Sequence, residues 1–196
     1  EYKDLPWQII RVATIISDNN EGIVTQQNAF HNTLKLFFYG LLSLVPGNKD
    51  TPLYFVTGQF VIDAIADLTH RFDDKAIYHL CHTLGESSTL GELLDLAYDR
   101  FNKEKDFQSR NILPPILCDL ESFNLLAGET KKMGTTVMGQ GMSSISPFSK
   151  QLFSKKNFVN NNLQNSIEKY SAPNPKDLLD SVCGHLVKTR WGKRAN

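Results

Sequence analysis

His79 and His82 stand three residues apart, with His70, Asp73 and Asp74 shortly upstream. Two imidazoles at helical spacing can share a zinc ion, but a zinc site needs three or four ligands, and the sequence specifies no third or fourth. No metal is expected. Cys81, between the two histidines, raises a second chemistry, a Cys–His nucleophile. Consecutive residues on a helix point about 100° apart, so Cys81 does not face His82. A dyad would need Cys118 or Cys183 to meet a distant histidine. Asp63/Asp67 and Asp95/Asp99 are carboxylates four residues apart, the usual wet face of an amphipathic helix. No catalytic residue is assigned.

Gly134 to Gly141 reads Gly-Thr-Thr-Val-Met-Gly-Gln-Gly. A P-loop carries lysine where Gln140 stands, and a dinucleotide loop should follow a strand and open a helix. Neither context is evident, and the G-x-S-x-G elbow of serine hydrolases is absent. No cofactor is expected. At the other end, Lys188, Arg190, Lys193 and Arg194 gather around Trp191. Cations suit the negative end of a helix dipole. Together with the indole they are the expected partner-binding residues, for an acidic protein surface rather than nucleic acid.

The elements that must position these residues read mostly as helices. Asp4 and Pro6 open one, followed by Ile9, Ile10, Ala13 and Ile16 at helical spacing. A second runs from Phe30 to Val45 as one apolar stripe, a third from 52 to about 71, and a short one from Asp73 or Asp74 to Leu84. Leu53 to Val56 is also good strand material. Thr89 with Glu92 is a capping box ahead of Leu90, Leu93, Leu94, Ala97 and Phe101. Pro114-Pro115 introduces a helix ending at Gly128, and Asn174-Pro175 starts the last one, lined by Leu178, Leu179, Val182, Cys183 and Leu186. The expected fold is mainly α: one multi-helix domain with at most a small sheet near 53–57 or 22–25. Its parts are an acidic helical core (1–128), a flexible Gly/Ser/Met-rich loop (129–146) and a basic helical segment (147–196) packing on the core.

The 196 residues carry 21 basic and 21 acidic side chains, but residues 1–127 have a net charge of −7 and 128–196 of +7. A neutral total excludes global attraction to nucleic acid or anionic membrane. The most apolar stretch, Leu34–Val45, contains Lys35 and is shorter than the ~20 residues a bilayer needs. Three cysteines with long spacings point to a reducing, cytoplasmic setting. The expected function is a non-enzymatic interaction subunit, an adaptor or chaperone-like component of a larger assembly. Cargo adaptors of bacterial secretion machines fit by class analogy. The expected partners are protein subunits, any membrane contact being peripheral and made through a partner. The alternative is a small hydrolase or transferase whose site, drawn from His70, Asp73, His79, Cys81 and His82, assembles only in three dimensions.

Overall fold

The first surprise is parallel strands where helix was expected. A computed structural model describes residues 4–132, 136, 139, 142–143, 145–167 and 171–192, with Lys131 described in its backbone only. Six of the eight residues from Ile9 to Ile16 are β-branched. Such side chains lose χ1 freedom in a helix and pack well on a pleated surface. They form β1 (Gln8–Val12) and β2 (Thr14–Ser17), not a helix.

Two crossovers build on this segment. From β2 the chain passes through α1 (Ala29–Phe38) and returns as β5 (Phe55–Thr57), parallel to β2. It enters α2 (Gly58–His70) directly and emerges as β6 (Ala76–Leu80), parallel to β1 with Ile10 opposite Tyr78. The expected helix over 73–84 is therefore replaced by a strand at its centre, with turns and loop on either side. Asp74, read as its cap, instead accepts the Trp7 N–H at 2.9 Å and so fixes the entry to β1. A third parallel pair joins β3 (Leu44–Pro46) to β8 (Ile116–Cys118), and a short antiparallel pair joins β4 (Pro52–Leu53) to β7 (Ser88–Thr89). The mainly helical expectation is thus corrected to α/β with parallel pairing. The stripe read as one helix from Phe30 to Val45 breaks at Gly40, whose φ of +71° suits glycine.

Two of the helices predicted from capping chemistry, those opened by Thr89 and Asn174, form where they were expected. Thr89 Oγ1 accepts the Glu92 N–H, the Glu92 carboxylate accepts the Thr89 N–H at 3.0 Å, and α3 (Leu90–Phe101) follows. The remaining helices are α4 (Lys105–Gln108), α5 (Leu120–Lys132), α6 (Asn161–Ser166) and α7 (Pro175–Lys188), with a 3-10 segment at Ser146–Phe153. Asn174 caps α7 through the N–H groups of Lys176 and Asp177. Within 129–146, Glu129–Lys132 complete α5, and Met142 and Ile145 are buried.

Two apolar clusters form. The larger joins α1, α3 and α7, with Phe37, Phe101, Phe107, Leu178, Leu179 and Val182 at its centre. Lys176 pairs with Glu92 at 3.1 Å across α3 and α7. The smaller lies between the β1–β6 pair, α2 and α6 and includes Tyr78, Leu80, Val61, Leu68 and Leu163. Among the described residues β1 has one partner strand, β6. No described strand pairs with its other edge, and the side chains of Ile9 and Val12, on opposite faces of the strand, are each 42% exposed.

Candidate ligand pocket

The histidines and cysteine singled out from sequence do not converge. The His79 ring accepts from Arg11 at 3.4 Å and donates to the Val159 carbonyl at 2.9 Å. His82, buried, accepts the Phe55 N–H through Nε2 and donates from Nδ1 to the Thr83 carbonyl, both at 3.3 Å. His70 is exposed at the end of α2, and Asp73 accepts the Tyr78 hydroxyl. No cluster of three possible metal ligands occurs among the described residues. Burial pushes the Cys81 thiol up to about 11 and raises those of Cys118 and Cys183 as well. All three are held as thiols, whereas a nucleophile must be a thiolate.

The predicted partner-binding cluster divides. Lys188 and Arg190 are exposed, whereas Trp191 is buried, its ring 5.7 Å from Phe38 and 6.3 Å from Phe101. The indole is a core side chain, reached by a turn in which Arg190 and Trp191 both take positive φ. Lys193 and Arg194 lie outside the described residues.

A cavity of about 510 Å³ does collect side chains from many elements, within the size range of small-molecule sites. Two helices supply facing walls with the same period. Phe30, Thr33, Leu34 and Phe37 project from α1, and Leu90, Leu93, Leu94 and Ala97 from α3, each set following the i, i+3, i+4, i+7 rule. Phe55 of β5 packs on Phe30 at 4.8 Å, Leu42, Val45 and Leu179 contribute further apolar wall, and Ile145, Phe148 and Leu152 line it from the 3-10 segment and its approach. Val12, Ala13 and Thr14 bring in the carboxyl end of β1. Ligands of open parallel sheets bind at such strand ends.

The polar groups of this wall are largely committed to the fold. Asn28 donates to the Ile15 carbonyl at 2.9 Å and accepts the Phe30 N–H at 3.0 Å. Thr33 donates to Ala29, and the Tyr54 hydroxyl to the Lys156 carbonyl at 3.1 Å. Beside the pocket, His31 is buried between α1 and β2: its Nδ1 accepts the Asn28 N–H at 2.9 Å and its Nε2–H donates to the Ile16 carbonyl at 2.8 Å. Burial lowers its pKa and keeps the ring neutral. Sequence reasoning assigned the two apolar stripes to packing alone and passed over His31. The only local signal was Asn28, three residues before His31 at the start of a helix.

Comparison with solved structures identifies the class of fold. The terminal R domain from the myxalamid PKS-NRPS biosynthetic pathway matches with a TM-score of 0.62 at 16% identity, over 98% of this chain and 46% of that one. A thiolation-reductase di-domain from an archaeal non-ribosomal peptide synthetase matches with 0.58 at 18% identity, over 97% and 38%. UDP-glucose 4-epimerase of Thermotoga maritima, with UDP-glucose, matches with 0.55 at 12% identity, over 96% and 48%. No protein-family profile matches the sequence, and no curated protein matches it either. The chain has a Rossmann-like α/β fold with parallel strand pairing. It spans about half the length of the structures it matches. This fold corrects the reading of a helical, non-enzymatic adaptor or chaperone-like subunit: the solved structures that share it are a terminal R domain, a thiolation-reductase di-domain and an epimerase.

The described strand-to-helix turns do not fit a dinucleotide: Gly22, between β2 and α1, packs on Ser181 of α7, and Asn28 caps α1. The pyrophosphate of a dinucleotide needs a glycine-rich turn between a strand and a helix N-terminus. The sheet here enters a helix directly at β5–α2, and there Thr57 caps Phe60 while the Asp18 carbonyl accepts the Gln59 N–H at 2.8 Å. That helix end is closed by the protein's own groups. The glycines from Gly134 onward follow a helix, α5, and not a strand. Among the described residues no helix is long and apolar enough to cross a membrane.

Proposed function

We propose that this chain is the substrate-side half of an NAD(P)-dependent reductase, acting with a nucleotide-binding unit that continues its parallel sheet from the free edge of β1. The observation carrying this reading is that edge. A doubly wound sheet buries both faces of its strands, yet β1 is paired on one side only and leaves Ile9 and Val12 exposed. Leu5 and Trp7, just before β1, are also exposed, at 56% and 41%. An open edge of this kind is a template for another strand. The chain's coverage of about half of each matched structure supports the same division. In it the present residues hold the substrate against the carboxyl end of β1, and the unit across the edge holds the dinucleotide. Three free cysteines, two of them buried, support a reducing, cytoplasmic setting.

Titration with NADPH, followed by nicotinamide fluorescence, tests the division. The 196-residue chain alone should show no saturable binding, and the intact protein carrying it in its own cells should saturate. Saturable micromolar binding by the chain alone would place the cradle within it. Binding by neither would remove the oxidoreductase reading.

A further inference from the structure

The cavity walls are more selective than the fold requires. A sugar-nucleotide substrate carries many hydroxyls, each of which needs a partner once it leaves water. Leaving one unmade costs about 1–3 kcal/mol. The deep wall here is built from Leu34, Phe37, Val45, Phe55, Leu93 and Ala97, all buried and all apolar. The polar side chains of Thr33 and Tyr54 that reach the wall donate to the backbone. Among the described residues no charged side chain lines the interior. The charged side chain of the lining is Lys156, which is exposed, as are Thr14, Asn28, Gln151 and Ser154. The polarity is therefore graded: wet at the rim and dry in depth.

The rim also has a direction. Thr14 opens β2 directly after β1 and Asn28 caps α1, so this side of the mouth lies between the β1–β2 junction and the start of α1. The dry part runs inward between the stripes of α1 and α3.

We infer that this cavity holds the hydrocarbon tail of an acyl or alkyl substrate, with the polar head of that substrate at the rim beside Thr14, Asn28 and Lys156. This rests on the reading of the chain as a reductase's substrate half and names the substrate class of that site. A linear chain fits the space between two parallel apolar stripes, and its lack of hydrogen-bonding groups matches a wall with none to spare. A sugar at the same depth would leave its hydroxyls unpaired.

Isothermal titration of the 196-residue chain with hexanoate, octanoate, decanoate and dodecanoate tests the inference, with UDP-glucose as the polar comparison. Each added methylene should tighten binding about fourfold, the equivalent of ~0.8 kcal/mol per buried CH₂, until the cavity is full and the gain stops. Leu94, half-buried on the cavity wall, is the site for a filling variant. Leu94→Trp should cost decanoate and dodecanoate at least tenfold while leaving hexanoate within about threefold. Leu53→Trp, on another element, repeats the test should the first variant lose its circular dichroism spectrum. No fatty-acid binding, affinity independent of chain length, tighter binding of UDP-glucose, or length dependence untouched in both folded variants would each overturn the inference. The titration needs no dinucleotide and no second unit. Failure here with NADPH binding by the intact protein leaves the reductase reading standing without its substrate class. Success here with no NADPH binding keeps the tail site and removes the reductase.

Discussion

Mild acid should loosen this protein through two buried imidazoles before any perturbed carboxylate titrates. His31 and His82 are each 1% exposed, and each has one ring nitrogen accepting a backbone N–H and the other donating to a backbone carbonyl. Only the neutral ring satisfies both bonds, because a second proton would point at an N–H. Burial lowers both pKa values, with backbone carbonyls and the nearby Asp18 or Glu86 opposing in part. The folded state therefore refuses a proton that the unfolded chain accepts near pH 6.5. Stability is full above that pH and is lost as pH falls below it, down to the depressed folded values. Linkage limits the loss to about 1.4 kcal/mol per pH unit per histidine, or about 2.7 for the pair. The carboxylates that the fold perturbs, Glu86, Glu92 and Asp119, are shifted down by the Thr83, Thr89 and Ser122 N–H groups and so titrate below this window. Replacing His31 by Gln removes one of the two sites. Urea unfolding of wild type and His31→Gln at pH 7.5, 6.5 and 5.5 reads the effect. The variant should be less stable at pH 7.5 by about 1–3 kcal/mol, because buried backbone groups lose their geometry. It should also lose about half of the wild-type dependence between pH 6.5 and 5.5. Equal pH dependence in the two proteins would refute the reasoning, whatever the absolute stabilities.

Three further outcomes follow from the packing. Trp191→Ala should cost about 3–5 kcal/mol in urea unfolding, the usual range for emptying a buried aromatic site, because the indole sits among Phe38 and Phe101; a change under 1 kcal/mol would return it to the surface. Reversing Lys188 and Arg190 to Glu should leave stability within about 0.5 kcal/mol, as for exposed sites without special contacts, and a larger loss would show that these cations clamp the acidic part of the chain. Gly22→Ala should destabilise strongly, since Gly22 has φ +76° and an added Cβ would lie 2.4 Å from the Ser181 backbone of α7; a neutral result in thermal unfolding would contradict that close approach.

The elements that were legible in the sequence are those whose ends carry side-chain chemistry. Thr89 with Glu92, and Asn174 with Pro175, marked α3 and α7 because caps are local and their partners lie within three residues. The strands were misread because Ile9, Ile10, Ala13 and Ile16 satisfy a helical period by coincidence, while the stronger signal was the density of β-branched residues between them. β6 was hidden by Asp73 and Asp74, whose carboxylates bind Tyr78 and the Trp7 N–H instead of capping a helix. Leu53 to Val56, noted as strand material, does contribute to β4 and β5. The pocket could not be read. A stripe such as Leu90, Leu93, Leu94 and Ala97 has the same sequence signature whether it packs against a neighbour or stops short of one. That distinction arises only when α1 and α3 are set apart by elements far away in the chain. The pairing of Asn28 with His31 has no standard motif, because a histidine occupies the place of Glu or Gln in the reciprocal cap.

Backbone hydrogen exchange reads the unpaired edge of β1 residue by residue. A strand paired on one side protects alternate amides, and those facing the empty side exchange as solvent-exposed groups. In the isolated chain, alternate amides of Gln8–Val12 should exchange fast at every protein concentration. In the intact protein from its own cells the same amides should be protected, because a parallel strand of the nucleotide-binding unit takes up that edge. Protection of the whole of β1 in the isolated chain, or fast exchange persisting in the intact protein, would contradict the assignment of this chain as one half of a continued sheet.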